Sequence, residues 1–401
     1  MTNFVEAGSA LLAYDGSLSC PVDFFYFDAG GGHRAAATAL KAVAERQGRP
    51  WQIRLVNFQE LLDEIDLIKR YTGRRIQDFY NLLLRYNLTL GMNALLRCFH
   101  FLVRRYHPDQ VRLLEAHWRR SPPKLVVSLI PHFNRAMFEA LGRVDSSIPF
   151  VTILTDLADY PPHFWIERQA QYVICGTLRA VEQARQIGLV AEQIYPVSGM
   201  ILRPQFFEAR PIDRAAERRR LGLEPELPTA LVLFGGEGSA VMLDIARHLA
   251  RVRRPLQAIF LCGRNESLAQ RLRHAGLSYP FWVEGFTVEV PYFMQLADFF
   301  IGKPGPGSLS EALEMGLPVI VERNAWTMPQ ERYNTDWVRE NDFGLVVDSF
   351  RRLTPAVEYL LEPDILDRYR AAARRVSNRA VFEIPEILEE ILAKGPPRVK
   401  L

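Results

Sequence analysis

The side chains best placed by type and spacing to hold a ligand lie in one stretch, FFIGKPGPGSLSEALEMGLPVIVERNAWTMPQERYN, running from Phe299 to Asn334. Asp298 to Gly302 reads as a short buried strand. Lys303, Pro304, Gly305, Pro306 and Gly307 continue neither regular element, so the backbone must turn there. Ser308 is expected to cap the following helix, with Glu311 three residues on at the capping-box spacing. Gly316-Leu317-Pro318 stops that helix, and Val319 to Val321 reads as the next strand. A helix that opens directly after a strand collects anions, because its free N–H groups and its dipole point the same way. Glu311 alone would fit any capped βα unit. Gln330, Glu331 and Asn334, opening the next helix, add carboxylate and amide groups beside the first helix start. That pairing suits a ligand carrying both phosphates and hydroxyls.

A second group lies near the start of the chain. Pro21 to Phe27 reads as a buried strand, followed by Asp28-Ala29-Gly30-Gly31-Gly32-His33 and an Ala-rich helix over Arg34 to Arg46. Glycines at a strand–helix junction let backbone approach a ligand closely. On spacing alone a helix-start histidine with no chemistry is the simpler reading of His33. Thr155-Asp156 ends the strand Pro149 to Leu154, a position that faces the ligand crevice of an open parallel sheet. A turn cap is the simpler role for Asp156. His163 and Trp165 follow in TDLADYPPHFW.

The elements that must position these residues alternate, strand then helix, through both halves of the chain, which implies α/β architecture. At 401 residues two domains are expected, because single cores seldom grow past ~250–300 residues. In the second half, Thr229 to Phe234 is a strand and Gly235-Gly236-Glu237-Gly238-Ser239 a turn with neither dinucleotide nor Walker spacing, yet a fair diphosphate cradle. Ala258 to Cys262 leads to Asn265, Phe281 leads to Gly285-Phe286, Leu345 to Val347 reads as an edge strand, and Ile384 to Leu392 as a terminal helix.

The formal net charge of +3 is too small to argue for nucleic acid. Four widely spaced cysteines, Cys20, Cys98, Cys175 and Cys262, form neither a metal spacing nor a disulfide framework, which points to a reducing compartment. The amino terminus shows no signal-peptide pattern, and no apolar run is long enough to span a bilayer. One segment breaks the βα pattern. Residues 69–106 carry eight Lys or Arg against the single acid Asp78, interleaved with Tyr71, Phe79, Tyr80, Tyr86, Phe99, Phe101 and Tyr106. Basic, aromatic and Leu-rich helical segments lie in membrane interfaces. Helices packed on the core with arginines in solvent are the competing reading.

KPGPGSLSEALEMGLPVI followed by PQERYN resembles the donor-site signature of family 28 glycosyltransferases of the GT-B fold. It is most similar to the branch of monogalactosyldiacylglycerol synthases and bacterial diacylglycerol glucosyltransferases. GGGH and the Thr-Asp, His, Trp segment are similar to the same family, as is SGMILRPQFF, which marks an interdomain linker near Arg203 to Phe207. Pro329 stands where the family usually has Gly, and Gln171 where it usually has Asp.

The resemblance implies two Rossmann-like domains facing a cleft. Residues 1–203 would form the acceptor and membrane-facing domain, and 204–377 the nucleotide-sugar domain. The carboxyl-terminal helix within 378–401 would pack back on the first. It implies an inverting transfer of a hexose from a UDP-sugar to diacylglycerol or a related lipid, with no metal or other cofactor and no nucleic-acid partner. By the same resemblance Glu311 would bind the ribose, and Gln330, Glu331 and Asn334 would face the sugar. Gly235, Gly236, Ser239, Asn265, Phe286, Lys303, Gly305, Gly307 and Ser308 would complete the donor site. Gly31, Gly32, His163 and Trp165 would border the acceptor. His33 is expected as the general base, with Asp156 as the second candidate, and 69–106 as the contact with an anionic bilayer at the cytoplasmic face of the cell membrane. A transferase acting on a polyprenyl-linked cell-wall precursor, a UDP-sugar epimerase and a non-catalytic nucleotide-sugar-binding module compete with this reading.

Overall fold

The computed structural model describes residues 20–28, 31–62, 103–208 and 211–398. Most of the segment 69–106, and the membrane contact expected of it, therefore lies outside the described residues. Two parallel sheets of six strands each organise the chain. The first contains β1 (Cys20–Tyr26), β2 (Trp51–Asn57), β3 (Leu125–Ser128), β4 (Phe150–Ile153), β5 (Tyr172–Cys175) and β6 (Ile194–Pro196), in the order β2-β1-β3-β4-β5-β6. The second contains β7 (Thr229–Leu233), β8 (Gln257–Leu261), β9 (Phe281–Glu284), β10 (Phe299–Gly302), β11 (Val319–Glu322) and β12 (Gly344–Val347), in the order β12-β11-β10-β7-β8-β9.

Strands such as LVVS of β3 and FFIG of β10 are buried throughout, because helices cover both faces of each sheet. Val22, Phe24 and Val127 face one core while Phe25, Val126 and Phe150 face the other, the period of two that a strand imposes. The second sheet divides likewise, with Val232 and Phe260 on one side and Leu231 and Ile259 on the other.

Strand order reverses between β1 and β3 in the first sheet and between β7 and β10 in the second. A ligand crevice opens at such a point, at the carboxyl ends of the strands. The Gly31-Gly32-His33 junction follows β1, the Gly235–Ser239 turn follows β7, and the Lys303–Gly307 turn follows β10, so the motif-bearing loops sit at both reversals.

Helix Ala380–Lys394 returns to the first sheet. Ala380, Val381, Ile384, Leu388 and Ile391 are buried in that core. Burial of Val381, Ile384, Leu388 and Ile391 contributes roughly 1.5–3 kcal/mol per side chain. The Gln47 amide donates to the Phe382 carbonyl at 3.2 Å and the Tyr172 hydroxyl to the Gly395 carbonyl at 2.9 Å. Asn378, where the chain crosses back, is buried and donates to the Met200 carbonyl at 2.8 Å, so the two crossings are tied together.

Three local expectations are corrected. Helix Pro306–Glu314 begins one turn earlier than the capping-box pattern implies, with Gly305 as the N-cap residue and Pro306 in its first turn. Proline suits that position because its missing N–H would be unpaired there anyway. Ser308 thus lies inside the first turn, its hydroxyl donating to the Gly305 carbonyl at 3.4 Å, and caps nothing. Helices Glu266–Arg273 and Val290–Leu296 were not anticipated from the sequence.

Candidate active site

The second half gathers polar groups on three turns. Gly235 and Gly238 take positive φ angles of 75° and 63°, and a Cβ on Gly238 would stand 2.4 Å from the Cys262 carbonyl oxygen. A Cβ on Gly263 would meet the Gly236 carbonyl oxygen at 2.2 Å. The turns after β7 and β8 therefore pack backbone on backbone, which no larger residue allows. Arg264 donates from its backbone to the Gly236 carbonyl at 2.8 Å, pairs with Glu237 at 3.1 Å, and lies 4.5 Å from the ring centroid of Phe286. Phe286 is itself 55% exposed. The Asn265 side-chain amide oxygen caps the following helix by accepting from the Leu268 N–H at 3.1 Å. Ser239 is buried at the start of the helix after β7.

The turn after β10 brings Lys303, Gly305, Ser308 and Glu331 around one point. A Cβ on Gly305 would lie 3.3 Å from the Lys303 side chain, 3.5 Å from the Ser308 hydroxyl and 3.7 Å from a Glu331 oxygen. Glu331 is buried and faces the Lys303 ammonium at 3.6 Å. Gly307 is exposed on the first helical turn, with open space where a side chain would stand. Helix Pro329–Glu340 takes Pro329 at its start and is pinned to the turn by Asn334, which donates to the Pro304 carbonyl at 2.7 Å. The amide oxygens of Asn334 and Gln330 are buried with no hydrogen-bond partner among the described residues. Each such acceptor costs about 1–3 kcal/mol unsatisfied, so both fit groups that a bound hydroxyl would complete. Burial raises the Glu311 carboxyl to about 7 against the opposing pull of the Arg203 guanidinium.

The first half contributes a smaller constellation. Gly31 has φ 79°, and both Gly31 and Gly32 are exposed with open space around them. His33 is half-buried. Its Nδ1 lies 3.0 Å from the Thr155 hydroxyl and its ring centroid 5.9 Å from that of Trp165. Burial lowers the imidazole to about 4, opposed by its hydrogen bond with the Leu129 backbone. Asp156 accepts from the Trp165 indole N–H at 2.9 Å. Burial raises the Asp156 carboxyl to about 7, against the Trp165 hydrogen bond. The charges of Glu331 and Asp159 push it further up and that of Lys303 pulls it down.

Those last influences join the halves: Asp156, from the first sheet, senses Glu331 and Lys303, from the second. The Tyr160 and Tyr333 rings also meet across the halves at 6.0 Å. The structure thus brings together His33, Asp156 and Trp165, with Asp156 within reach of the charges of Lys303 and Glu331. Trp165 is fully buried, so it supports Asp156 from behind, whereas His163 is exposed at a left-handed φ of 62°.

Two residues of this site, Arg203 and Asp159, escaped the sequence reading, and a third, Thr155, was read without its bond to His33. Arg203 read only as linker. Thr155 was noted as a neighbour of Asp156, but its bond to His33 spans 122 positions. Asp159 acts on backbone N–H groups, which leave no pattern in side-chain spacing.

No family model matches the chain. It is 28% identical over 389 residues to a probable monogalactosyldiacylglycerol synthase 2, chloroplastic, of Oryza sativa subsp. japonica, covering 91% of this chain and 79% of that one. Monogalactosyldiacylglycerol synthase 1, chloroplastic, of Arabidopsis thaliana is 27% identical over 392 residues, covering 92% and 70%. Among solved structures, MurG of Acinetobacter baumannii superposes with a TM-score of 0.61 at 12% identity, covering 92% of this chain and 99% of that one. Staphylococcus aureus MnaA, solved with UDP, gives 0.59 at 12% identity, covering 93% and 97%. The structural likenesses establish the GT-B fold. The resemblance to monogalactosyldiacylglycerol synthases of family 28 extends over nine-tenths of the chain rather than resting on motifs alone.

Proposed function

From a likeness to galactolipid synthases that covers nine-tenths of the chain, we propose that this protein is an inverting glycosyltransferase. It moves a hexose from a UDP-sugar to diacylglycerol or a related membrane lipid. The observation that carries the reading is the pair of buried, unpartnered amide oxygens of Gln330 and Asn334. They flank a helix start with Lys303, opposite a carboxyl held near neutrality on the other half. Gln330, Glu331 and Asn334 hold the sugar hydroxyls and Glu311 the ribose. N–H groups of helix Pro306–Glu314 and Lys303 stabilise the charge that grows on the departing diphosphate.

The acceptor hydroxyl attacks the anomeric carbon from the face opposite the diphosphate, the C–O bond to UDP breaks, and the hydroxyl proton passes to a base. A base works best with a pKa near the working pH. His33, expected in that role from the sequence, is held near 4, whereas Asp156 is held near 7 and faces Lys303 and Glu331. Asp156 is therefore assigned as the proton acceptor, with His33 a neutral ring bordering the acceptor. Among the described residues no helix is long and apolar enough to cross a membrane. Peripheral association with the cytoplasmic face of an anionic membrane is part of the same proposal, supported by the basic and aromatic composition of residues 69–106.

Purified protein, vesicles containing diacylglycerol, and UDP-glucose, UDP-galactose or UDP-glucuronate in turn supply the test. Mass spectrometry should find a hexosyl- or hexuronosyl-diacylglycerol with equimolar UDP release. Absence of any glycosylated lipid with all three donors would overturn the reading.

A further inference from the structure

The loop that carries Asp156 is shaped by a second carboxylate. Asp159 is 1% exposed. One of its oxygens accepts from the Trp165 backbone N–H at 2.6 Å and the other from the His163 backbone N–H at 3.1 Å. Gln183, on helix Leu178–Ile187, clasps the same residue from below. The Asp159 N–H donates to the Gln183 amide oxygen at 2.9 Å, and the Gln183 amide donates back to the Asp159 carbonyl at 2.9 Å. The Trp165 indole N–H then reaches Asp156. A closed circuit results: the helix fixes Asp159, Asp159 fixes the Trp165 backbone, and Trp165 aims its donor at Asp156. His163 is held at positive φ within this circuit, a conformation non-glycine residues seldom adopt.

Burying a carboxylate is an expensive way to tie a loop. Burial raises Asp159 to about 6 despite its backbone bonds, and a neutral acceptor would satisfy one N–H without that cost. A charged acceptor gives shorter, stronger and more directional bonds. Trp165 is fully buried, so its indole follows its backbone closely, and small displacements there carry directly to Asp156.

Resting on the reading of Asp156 as proton acceptor, we propose that Asp159 is a positioning residue. By holding the Trp165 backbone it aims the indole N–H at Asp156, and so sets the orientation of the carboxylate that takes the proton. Asp159→Asn replaces one acceptor oxygen by an amine that cannot accept from a backbone N–H. Trp165→Phe removes only the indole donor. If Asp159 acts through Trp165, the two losses are not additive.

The experiment measures kcat and the UDP-sugar KM for wild type, Asp159→Asn, Trp165→Phe and the double variant. Each single variant should lose about 10²-fold in kcat and keep KM near wild type, and the double variant should lose no more than the worse single. Trp165→Phe should also move the acid limb of kcat to higher pH, since the donor favours the charged form of Asp156. Glu331, Lys303 and Asp159, the other charges facing that carboxyl, are retained in this variant. Multiplying losses, or an unchanged kcat in Asp159→Asn, overturns the proposal. Should Asp159→Asn fold poorly, Gln183→Met releases the loop while keeping the carboxylate and is judged by the same kcat criterion.

A readout free of turnover separates this inference from the reaction assigned above. The Trp165 indole N–H resonance, identified by its loss in Trp165→Phe, should titrate with Asp156 in wild type and cease to do so in Asp159→Asn. If no donor is turned over yet the resonance behaves in this way, the reaction is wrong and the positioning stands. An indole signal that titrates identically in both proteins removes the positioning role whatever the reaction.

Discussion

A carboxyl held near neutrality and an imidazole held far below it give the two acceptor-side bases different acid limits. If Asp156 takes the proton, it must be ionised, so kcat falls as pH drops through about 7. If His33 takes it, the fall comes near 4. A pH profile of wild-type kcat distinguishes them before any substitution is made. Asp156→Asn should then lose ~10²–10⁴ in rate while still binding UDP. Near-normal turnover in that variant, with His33→Ala dead, would return the base to His33. Glu311 poses a related choice. Its carboxyl is raised, so the stability it contributes is present below the unfolded carboxyl range and is lost as pH rises through about 7. Glu311→Gln should therefore raise the thermal midpoint of the unliganded protein at pH 8, leave it unchanged near pH 4, and weaken UDP binding by tens-fold. Equal midpoints at pH 8 would show that the carboxylate is not held against its own burial.

At the scale of elements, the two backbone-on-backbone turns give the donor site its shape. Gly263→Ala would drive a methyl group into the Gly236 carbonyl and ask an L-residue to hold φ 59°. The turns after β7 and β8 should part, and UDP affinity should fall, by calorimetry, more than the thermal midpoint would imply. Retained affinity would mean that the Gly235–Ser239 turn does not touch the nucleotide. The strands were legible in the sequence because each is a short apolar run buried on both faces, as in Phe299 to Gly302. The helix over Glu266–Arg273 was not, since it is short, polar on most of its surface, and announced only by Asn265, whose cap bond looks like any loop asparagine. Ser308 misled for a physical reason: the proline two residues earlier opens the helix first. The polar groups Glu311, Gln330, Glu331 and Asn334, proposed to meet the donor, stood out in the sequence because they sit beside apolar strands. Asp159 and Leu129 were not, since one works on N–H groups and the other through its carbonyl. For residues 69–106 the sequence alone carries the expectation. Replacing Arg74, Arg75, Arg104 and Arg105 by Gln should lower sedimentation with phosphatidylglycerol vesicles, at ~1 kcal/mol per well-placed charge. Unchanged sedimentation would sink the membrane contact.

In the whole molecule the last helix ties the end of the chain to its beginning. Ala372 and Ala373 are buried in the second half's core, and seven residues later Ala380 enters the first half's. Each half has its own sheet and its own two apolar faces, so each can lose stability separately, while Asn378 and the terminal helix hold them as neighbours. Leu388 is fully buried among first-half residues. Leu388→Ala should cost about 2–5 kcal/mol, and the loss should fall on the first half. Scanning calorimetry of this variant should resolve an early transition, the first half, ahead of a later one at the wild-type position. UDP, bound by the donor turns as proposed above, should raise the later transition by mass action and leave the early one in place. The variant should still bind UDP at temperatures between the two, with transferase activity already gone, because Asp156 and His33 belong to the half that has melted. A single transition that UDP raises as a whole would show instead that the halves unfold as one unit. In that case the terminal helix couples their stability as well as their positions.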